Sequence, residues 1–235
     1  MLYVTGDTHG DLDFQKILDW TEATKPNKDK DYLIILGDFG YVWENKRDNY
    51  EKEKLDFISC LPFTTLFIDG NHENHSRLNA MRVVNFMGGK AHKVYDSIYH
   101  LMRGQVYNIC NKSIFTFGGA SSIDKHLRIE GVSWWKEEEF NYIEAETAYE
   151  NLNKVNWEVD YVITHSAPFS IKDRLYGNNN IYAPSATERL LEAILRNIKF
   201  KRWYFGHYHK DIKLDNFTVM YNRVERMRVN GSSLF

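Results

Sequence analysis

Aspartate, asparagine and histidine side chains recur in five short clusters, each directly after a run of apolar, β-prone residues. No cysteine lies in these clusters, so the available ligand atoms are carboxylate and amide oxygens and imidazole nitrogens. Mixed imidazole and carboxylate ligands suit manganese, iron or zinc, whereas all-oxygen sites favour magnesium or calcium. The clusters therefore predict a site for divalent metal ions. The candidate residues are Asp7, His9, Asp38, Asn71, His72, His165, His207 and His209.

The five clusters fall at the carboxyl ends of predicted strands. Continuous apolar runs of this length are typical of strands that are buried on both faces. In open parallel sheets, ligands bind beyond the carboxyl ends of the strands, so we expect the clusters to form one site. The predicted strands cover residues 2–5, 32–36, 65–68, 161–163 and 202–205.

Helical segments separate these strands. Residues 13–23 and 46–59 have an apolar face at helical spacing, which gives a strand–helix–strand–helix–strand order and implies parallel pairing. Residues 136–153 predict another helix. Ser185, followed three residues later by Glu188, predicts a capped helix start.

The middle and the end of the chain have different patterns. Short alternating segments between residues 93 and 117 indicate antiparallel strands and hairpins. Residues 177–180 predict a flexible loop, and residues 223–229 predict a final strand. The predicted fold class is α/β (α+β), with two packed mixed β-sheets flanked by helices in a single domain over residues 1–235.

Composition sets limits on the function. The chain of 235 residues has 43% hydrophobic residues and a formal net charge of -2. The overall charge therefore does not indicate binding to nucleic acid or to an anionic membrane surface. Cys60 and Cys110 have no metal-binding or redox spacing and predict two buried thiols. No apolar run approaches the roughly 20 residues that span a bilayer, and the first strand leaves no room for a signal peptide. We expect a cytoplasmic protein without a membrane contact or an obligate protein partner.

A pair of metal ions would give the clusters a specific chemistry. Two close divalent ions need a charge-balancing bridge, which the Asp38 carboxylate can supply. Such a pair binds phosphate oxygens, lowers the pKa of a bound water and stabilises the attacking and leaving oxygens. The glycines beside the clusters allow tight turns and close approach of the backbone to metal or phosphate. These features predict metal-dependent hydrolysis of a phosphate ester.

The order of the clusters is that of a known family. Asp-x-His, Gly-Asp, Gly-Asn-His-Glu, a lone His and Gly-His-x-His follow one another between residues 6 and 209. In this the chain resembles the calcineurin-like metallophosphoesterases, in particular small bacterial and phage-type members. The resemblance implies a four-layer sandwich and a hydrolase acting on ester bonds, either a phosphatase or a phosphodiesterase.

The resemblance also implies the role of each residue. Asp38 would bridge two divalent ions together with the water or hydroxide that attacks phosphorus. His72 would lie by the scissile phosphate and stabilise charge or protonate the leaving oxygen. Manganese is the expected metal, with iron, zinc, nickel or magnesium as alternatives. The implied ligands are Asp7, His9 and His209 for one ion, and Asn71, His165 and His207 for the other.

One motif departs from the pattern of many relatives. These continue Gly-Asp as Gly-Asp-x-x-Asp, and the protein Ser/Thr phosphatases place an Arg just after it. Here Phe39, Gly40 and Tyr41 follow Asp38, and both the second Asp and the Arg are missing. The departure leaves the ligand set intact but weighs against a protein phosphatase of that type.

A glycine- and serine-rich segment at residues 118–122 is a second candidate for the site. Its hydroxyls and the basic residues after it can grip a substrate phosphate, although solvated surface charge is an equally good interpretation. Trp134 and Trp135 can stack on a base, but packing in the core is the better interpretation. The candidate substrate contacts are Asn71, Ser121, Lys125, His126 and Arg128.

Two classes of function stay open. The first is a metallophosphoesterase whose substrate is a small molecule, a nucleotide or a nucleic acid. The second is a binding or scaffold protein that has kept the fold and lost catalysis. The presence of His72 and of every implied ligand favours the enzyme.

Overall fold

Two β-sheets pack face to face and carry helices on their outer sides in the computed structural model. It describes residues 1–177 and 182–228. The loop predicted at 177–180 lies beyond Gly177 outside the described residues, and so does the last residue of the strand predicted at 223–229. The predicted fold class, two mixed sheets flanked by helices, is confirmed.

Both sheets mix parallel and antiparallel strands within the described ranges. The first has the strand order β13-β1-β2-β3-β6-β5-β4, and the second has the order β11-β12-β10-β9-β8-β7. The strands of the first sheet are β1 (Leu2–Thr5), β2 (Tyr32–Ile35), β3 (Thr64–Phe67), β4 (Val83–Phe86), β5 (Gly89–Tyr95), β6 (Ile98–Leu101) and β13 (Val224–Arg226). Those of the second sheet are β7 (Gln105–Ile109), β8 (Lys112–Phe117), β9 (Tyr161–Thr164), β10 (Arg202–Phe205), β11 (Ile212–Leu214) and β12 (Phe217–Val219).

The helices divide between the two outer faces. Those on the first sheet are α1 (Gln15–Thr24), α2 (Asn49–Ser59) and α3 (His75–Asn79). Those on the second sheet are α4 (Tyr142–Lys154), α5 (Phe169–Tyr176) and α6 (Ala186–Leu195). None of the helices in the described ranges has the length and apolar character needed to cross a membrane.

Strand β2 shows why the sequence forms layers. Successive side chains of a strand point to opposite faces, so a fully apolar strand must be covered on both sides. Leu33 and Ile35 pack under the helices of the first sheet, whereas Ile34 and Leu36 face the second sheet. All four side chains are fully buried. The apolar runs therefore produce four layers: helices, sheet, sheet and helices.

Caps set the helix boundaries. Ser185 and Glu188 form the predicted capping box of α6, and Asn141 forms another with Glu144 at the start of α4. The helix predicted at 136–153 therefore divides into a short 3-10 turn, Lys136–Glu138, and α4. Helix α2 begins after Asp48, whose side chain accepts a hydrogen bond from the backbone N–H of Glu51.

The cysteine prediction was wrong. Cys60 and Cys110 are both exposed and unpaired thiols. Cys60 ends α2, and Cys110 lies in the hairpin turn between β7 and β8, where its φ angle is 52°. Both positions lie on the surface because they connect elements, and their burial cannot be inferred from residue type alone.

The interface between the sheets predicts a large effect of a single core truncation. The Ile34→Ala variant should lose about 2–5 kcal/mol of unfolding free energy, because it leaves a cavity between two packed sheets. Ile212→Ala, at a strand position where the side chain is 38% exposed, should lose less than about 1 kcal/mol. Urea denaturation of both variants measures the difference, and equal losses would contradict the layer assignment.

Candidate metal centre

The predicted site residues come together where five strands end. Strands β1, β2 and β3 run parallel in the first sheet, and β9 and β10 run parallel in the second. The loops that follow them carry the five clusters. Among the described residues, three groups have ligand atoms that all lie within 4.8 Å of one another. These groups are Asp7 with His9 and His209, His9 with Asp38 and His72, and Asp7 with Asp38 and His165.

Asp38 lies between imidazoles from both sheets. Its Oδ2 is 3.3 Å from Nε2 of His9 and 3.5 Å from Nε2 of His165. Its Oδ1 accepts a hydrogen bond of 2.8 Å from the backbone N–H of His72. Burial alone would raise the pKa of Asp38, but the neighbouring imidazoles hold it well below the usual value. Asp38 therefore stays ionised at the position where the sequence predicts a bridge.

Asp7 anchors the last cluster. The backbone N–H of His207 lies 3.1 Å from both Asp7 carboxylate oxygens, and Nε2 of His209 lies 3.2 Å from Oδ2. The His209 ring stacks on Tyr221 with centroids 4.5 Å apart. The Asp7 carboxylate thus links the first cluster of the chain to the fifth.

Hydrogen bonds orient the two imidazoles that face Asp38. Nδ1 of His9 lies 2.8 Å from Oδ2 of Asp13, and Nδ1 of His165 lies 2.6 Å from the carbonyl oxygen of Leu36. Each Nδ1–H donates to its oxygen, so Nε2 is the nitrogen that is left to bind a metal, as in other metal-binding histidines. Neither Asp13 nor Leu36 lies in a predicted cluster; Asp13 is a local partner four residues after His9, whereas only the fold brings Leu36 to His165.

The donor set fits a cation. Nε2 of His165 lies 3.2 Å from Oδ1 of Asn71 and 3.5 Å from Oδ2 of Asp38. With Nδ1 of His165 protonated, all three atoms are electron-pair donors, and such atoms repel one another unless a positive charge lies between them. Oxygen and imidazole donors in this mixture suit manganese, iron or zinc.

The pKa values reflect the same electrostatic field. Burial would lower the pKa of His9, but its hydrogen bonds to Asp38 and Asp13 and the nearby carboxylate charge raise it to about 9. The carboxylates therefore attract positive charge, as a metal site must. Burial, reinforced by His165, lowers the pKa of His207 to about 3, so this ring is neutral and free to act as a ligand.

The two other predicted histidines differ in position: His72 belongs to one of the three groups found among the described residues, and His207 belongs to none. The His207 ring packs against His165 with centroids 5.0 Å apart, but its nitrogens belong to none of the three groups found among the described residues. The His72 ring lies 5.6 Å from that of His9, and Trp43 stacks beside it. Burial lowers the pKa of His72, and the charge of Asp38 opposes that shift. Both residues line the adjacent cavity.

A cavity of about 550 Å³ opens beside the centre. Of the predicted substrate contacts, His126 is exposed and does not line this cavity. Aromatic side chains that the sequence did not single out also reach the wall, namely Tyr176, Tyr182 and Tyr208. The predicted contacts that line the cavity are Asn71, Ser121, Lys125 and Arg128.

The basic segment and the tryptophans have partners of their own. Arg128 donates to both carboxylate oxygens of Asp124, at 2.9 and 2.8 Å. Lys125 lies over the ring of Trp134, with Nζ 5.8 Å from the centroid. Trp135 is buried edge-on against Trp43, in agreement with the packing interpretation.

The backbone of the site is unusual. Four candidate ligands adopt left-handed conformations, a region that costs a non-glycine residue about 1–2 kcal/mol. Such strain clusters at functional sites, where the surrounding structure holds it. These residues are His9, Asp38, His207 and His209, with φ angles of 45°, 49°, 65° and 48°.

Two motif glycines are needed because a candidate ligand lies against each of them. A Cβ atom at Gly70 would overlap Oδ1 of Asp38, and one at Gly206 would overlap Oδ1 of Asp7. The Cβ at Gly206 would also lie 2.8 Å from the carbonyl oxygen of Leu36, which is backbone and cannot turn away. Glycine at these positions allows each candidate ligand carboxylate to lie directly against the backbone at the end of another strand.

Comparison with known proteins identifies the family. Residues 1–211 match the family described as calcineurin-like phosphoesterase, and the chain belongs to it. The resemblance of the motifs is thereby confirmed, and membership supports a phosphoesterase activity. No curated protein sequence matches the chain.

One similar solved structure is a candidate 5'-nucleotidase from Staphylococcus aureus in complex with alpha-ketoglutarate. The two are 14% identical, with a TM-score of 0.47. The match covers 94% of this chain and 48% of the other, so this chain spans about half the length of that protein.

The packing of Gly206 predicts a loss of metal affinity on a minimal change. In Gly206→Ala the new methyl group displaces the Asp7 carboxylate, and manganese affinity should fall by at least about 10-fold. The control is Gly131→Ala, where no heavy atom lies within 4 Å of the new Cβ and where φ, unlike that of Gly206, is positive at 76°. That control should cost about 1 kcal/mol of stability and keep its metal. Calorimetric titration with Mn²⁺ measures the affinity of each variant, and equal affinities in the two variants would contradict the packing argument.

Proposed function

We propose that this protein hydrolyses phosphate esters with a pair of divalent metal ions, most suitably manganese, held within one domain over residues 1–235. The observation that carries the proposal is the position of Asp38, between Nε2 of His9 and Nε2 of His165 at 3.3 and 3.5 Å. When bound, such ions lower the pKa of a water molecule and neutralise charge on the phosphate oxygens.

The residues divide into two ligand sets that share Asp38. The short distances among Asp7, His9 and His209 support the first set, and the contact of Asn71 with His165 supports the second. The position of the neutral His207 ring beside His165 supports its place in the second set. The proposed ligands are Asp7, His9 and His209 for one ion and Asn71, His165 and His207 for the other.

His72 is the proposed catalytic residue beside the ligands. Its backbone N–H fixes Asp38, and its ring lines the cavity next to the centre. A ring nitrogen at this position donates a hydrogen bond to a phosphate oxygen or a proton to the leaving oxygen.

The cavity supports a small organic phosphoester as the substrate. A volume of about 550 Å³ is in the range of small-molecule sites and accommodates a leaving group of nucleotide size. Lys125 provides positive charge in the lining, where Arg128 is paired with Asp124, and Tyr176 and Tyr182 provide aromatic surface. A long nucleic acid is a less suitable substrate. The formal net charge of the chain is -2, so basic residues are not in overall excess to bind a phosphate backbone.

Activity tests the proposal directly. With added Mn²⁺ the protein should hydrolyse 4-nitrophenyl phosphate or bis-(4-nitrophenyl) phosphate, and Asp38→Ala should lower turnover by at least about 100-fold. Asp96→Asn, which changes a carboxylate that is 81% exposed on the surface, is the control and should keep full activity. The ratio of the two rates assigns a monoesterase or a diesterase, and full activity of the Asp38 variant would refute the proposal.

Metal binding separates the enzyme from a scaffold that has lost catalysis. A ligand that binds only the folded chain at 100 times its Kd adds about 2.7 kcal/mol of stability, which corresponds to a rise in Tm of about 5–10 °C for a chain of this size. We expect such a rise with Mn²⁺ and its reversal by chelator in a thermal melt. No bound metal after chelator-free purification, together with an unchanged Tm, would favour the scaffold.

A further inference from the structure

A buried chain of hydrogen bonds leads away from the candidate ligand Asn71. Its Nδ2 lies 3.2 Å from Oγ of Ser122, which lies 2.6 Å from Oε2 of Glu138. The backbone N–H of Ser122 donates to Oε1 of the same carboxylate at 2.8 Å. The three residues are 6%, 4% and 0% exposed, so water does not compete for these bonds.

The donors and acceptors in this series of hydrogen bonds allow only one direction of donation, from Asn71 to Ser122 and from Ser122 to Glu138. An ionised carboxylate accepts hydrogen bonds and donates none, so the single hydroxyl proton of Ser122 must point to Glu138. Burial raises the pKa of Glu138, and its hydrogen bonds from Ser122 oppose that shift. The distance of 2.6 Å fits a hydroxyl that donates to the ionised carboxylate. Oγ of Ser122 can then only accept from Asn71, and the amide must turn its NH₂ group towards it. The amide oxygen is left on the other side, 3.2 Å from Nε2 of His165.

The orientation of this amide matters for a metal ligand. The oxygen and nitrogen ends of an asparagine amide have nearly the same shape, so packing alone does not distinguish them. Only the oxygen has lone pairs for a cation, whereas the NH₂ group presents two positive hydrogens. An amide in the wrong orientation would remove one ligand and place like charge against the ion.

Buried contacts fix Glu138 in turn. The guanidinium of Arg103 donates to the backbone carbonyl oxygens of Glu137 and Glu138, at 2.9 and 3.2 Å. Arg103 also donates to Oδ2 of Asp69, two residues before Asn71, at 2.9 Å from Nε and 2.5 Å from Nη2. The turn that carries Glu138 is therefore tied to the segment that carries the ligand.

We propose that Ser122 and Glu138 are positioning residues that orient the Asn71 amide with its oxygen towards the metal centre. The proposal rests on the metal centre of the proposed function and adds a requirement to it: Glu138 must accept the hydroxyl proton of Ser122, so that the oxygen end of the Asn71 amide faces the ion.

The isosteric substitution Glu138→Gln tests the direction of these hydrogen bonds. One end of the new amide must accept from the N–H of Ser122, so its NH₂ group donates to Oγ. The Ser122 proton then turns to Asn71 and favours the opposite amide orientation. In equilibrium dialysis with Mn²⁺ and elemental analysis, we expect two ions per wild-type chain, and in the variant a second ion that binds at least about 10-fold more weakly. Glu137→Gln is the matched control on the neighbouring residue and should bind as wild type does. Two tight ions in Glu138→Gln would overturn the proposal.

A second background separates positioning from general structural damage. Aspartate has two oxygens and no wrong orientation, and one of them can accept the Ser122 proton that Glu138→Gln releases. In the Asn71→Asp background the further change Glu138→Gln should therefore not weaken manganese binding. Ser122→Ala, which removes an oxygen and adds no volume, should weaken the same ion in the Asn71 background. An equal loss on Glu138→Gln in both backgrounds would overturn the proposal, because it would mean that Glu138 only supports the fold.

The outcomes also distinguish this inference from the proposed function. If the wild-type chain binds two ions and hydrolyses an aryl phosphate ester while Glu138→Gln does the same, only the positioning role fails. If the wild-type chain binds no manganese, the metal centre and the positioning role fail together.

Discussion

The buried Asp38 carboxylate, with imidazoles from both sheets at its Oδ2, is the interaction on which the site depends. His9 follows a strand of the first sheet, and His165 follows a strand of the second. Their approach to one oxygen requires the two sheets to pack with their carboxyl ends side by side. The apolar side chains between the sheets provide that packing, and the ionised carboxylate would be unfavourable there without positive or hydrogen-bonding partners.

The fold holds strain at the site. Four candidate ligands have left-handed backbone conformations, and two motif glycines lie against ligand carboxylates. These features destabilise the loops but bring their side chains within a few ångströms of one another. Packed strands on either side hold the loops in place, which is how a rigid scaffold positions a strained site. Bound cations would offset part of this cost by satisfying the electron-pair donors that face one another.

Much of the fold and of the ligand set could be predicted from the sequence because both rest on local patterns. Fully apolar runs mark strands buried on both faces, and the polar cluster after each run marks a strand end. The capping box at Ser185 was likewise visible as a local signal. Asp13 lies only four residues after His9, but Leu36 and Glu138 could not be predicted, because they lie far along the chain from the candidate ligands His165 and Asn71 that they orient. Their roles arise only from the tertiary structure, as does the exposed position of His126.

The most direct test of this account is the anomalous scattering of manganese in crystals grown with Mn²⁺. The account predicts two peaks on either side of Asp38, one near Asp7, His9 and His209, and the other near Asn71, His165 and His207. A single peak that does not involve Asp38, or no peak at the centre, would contradict it.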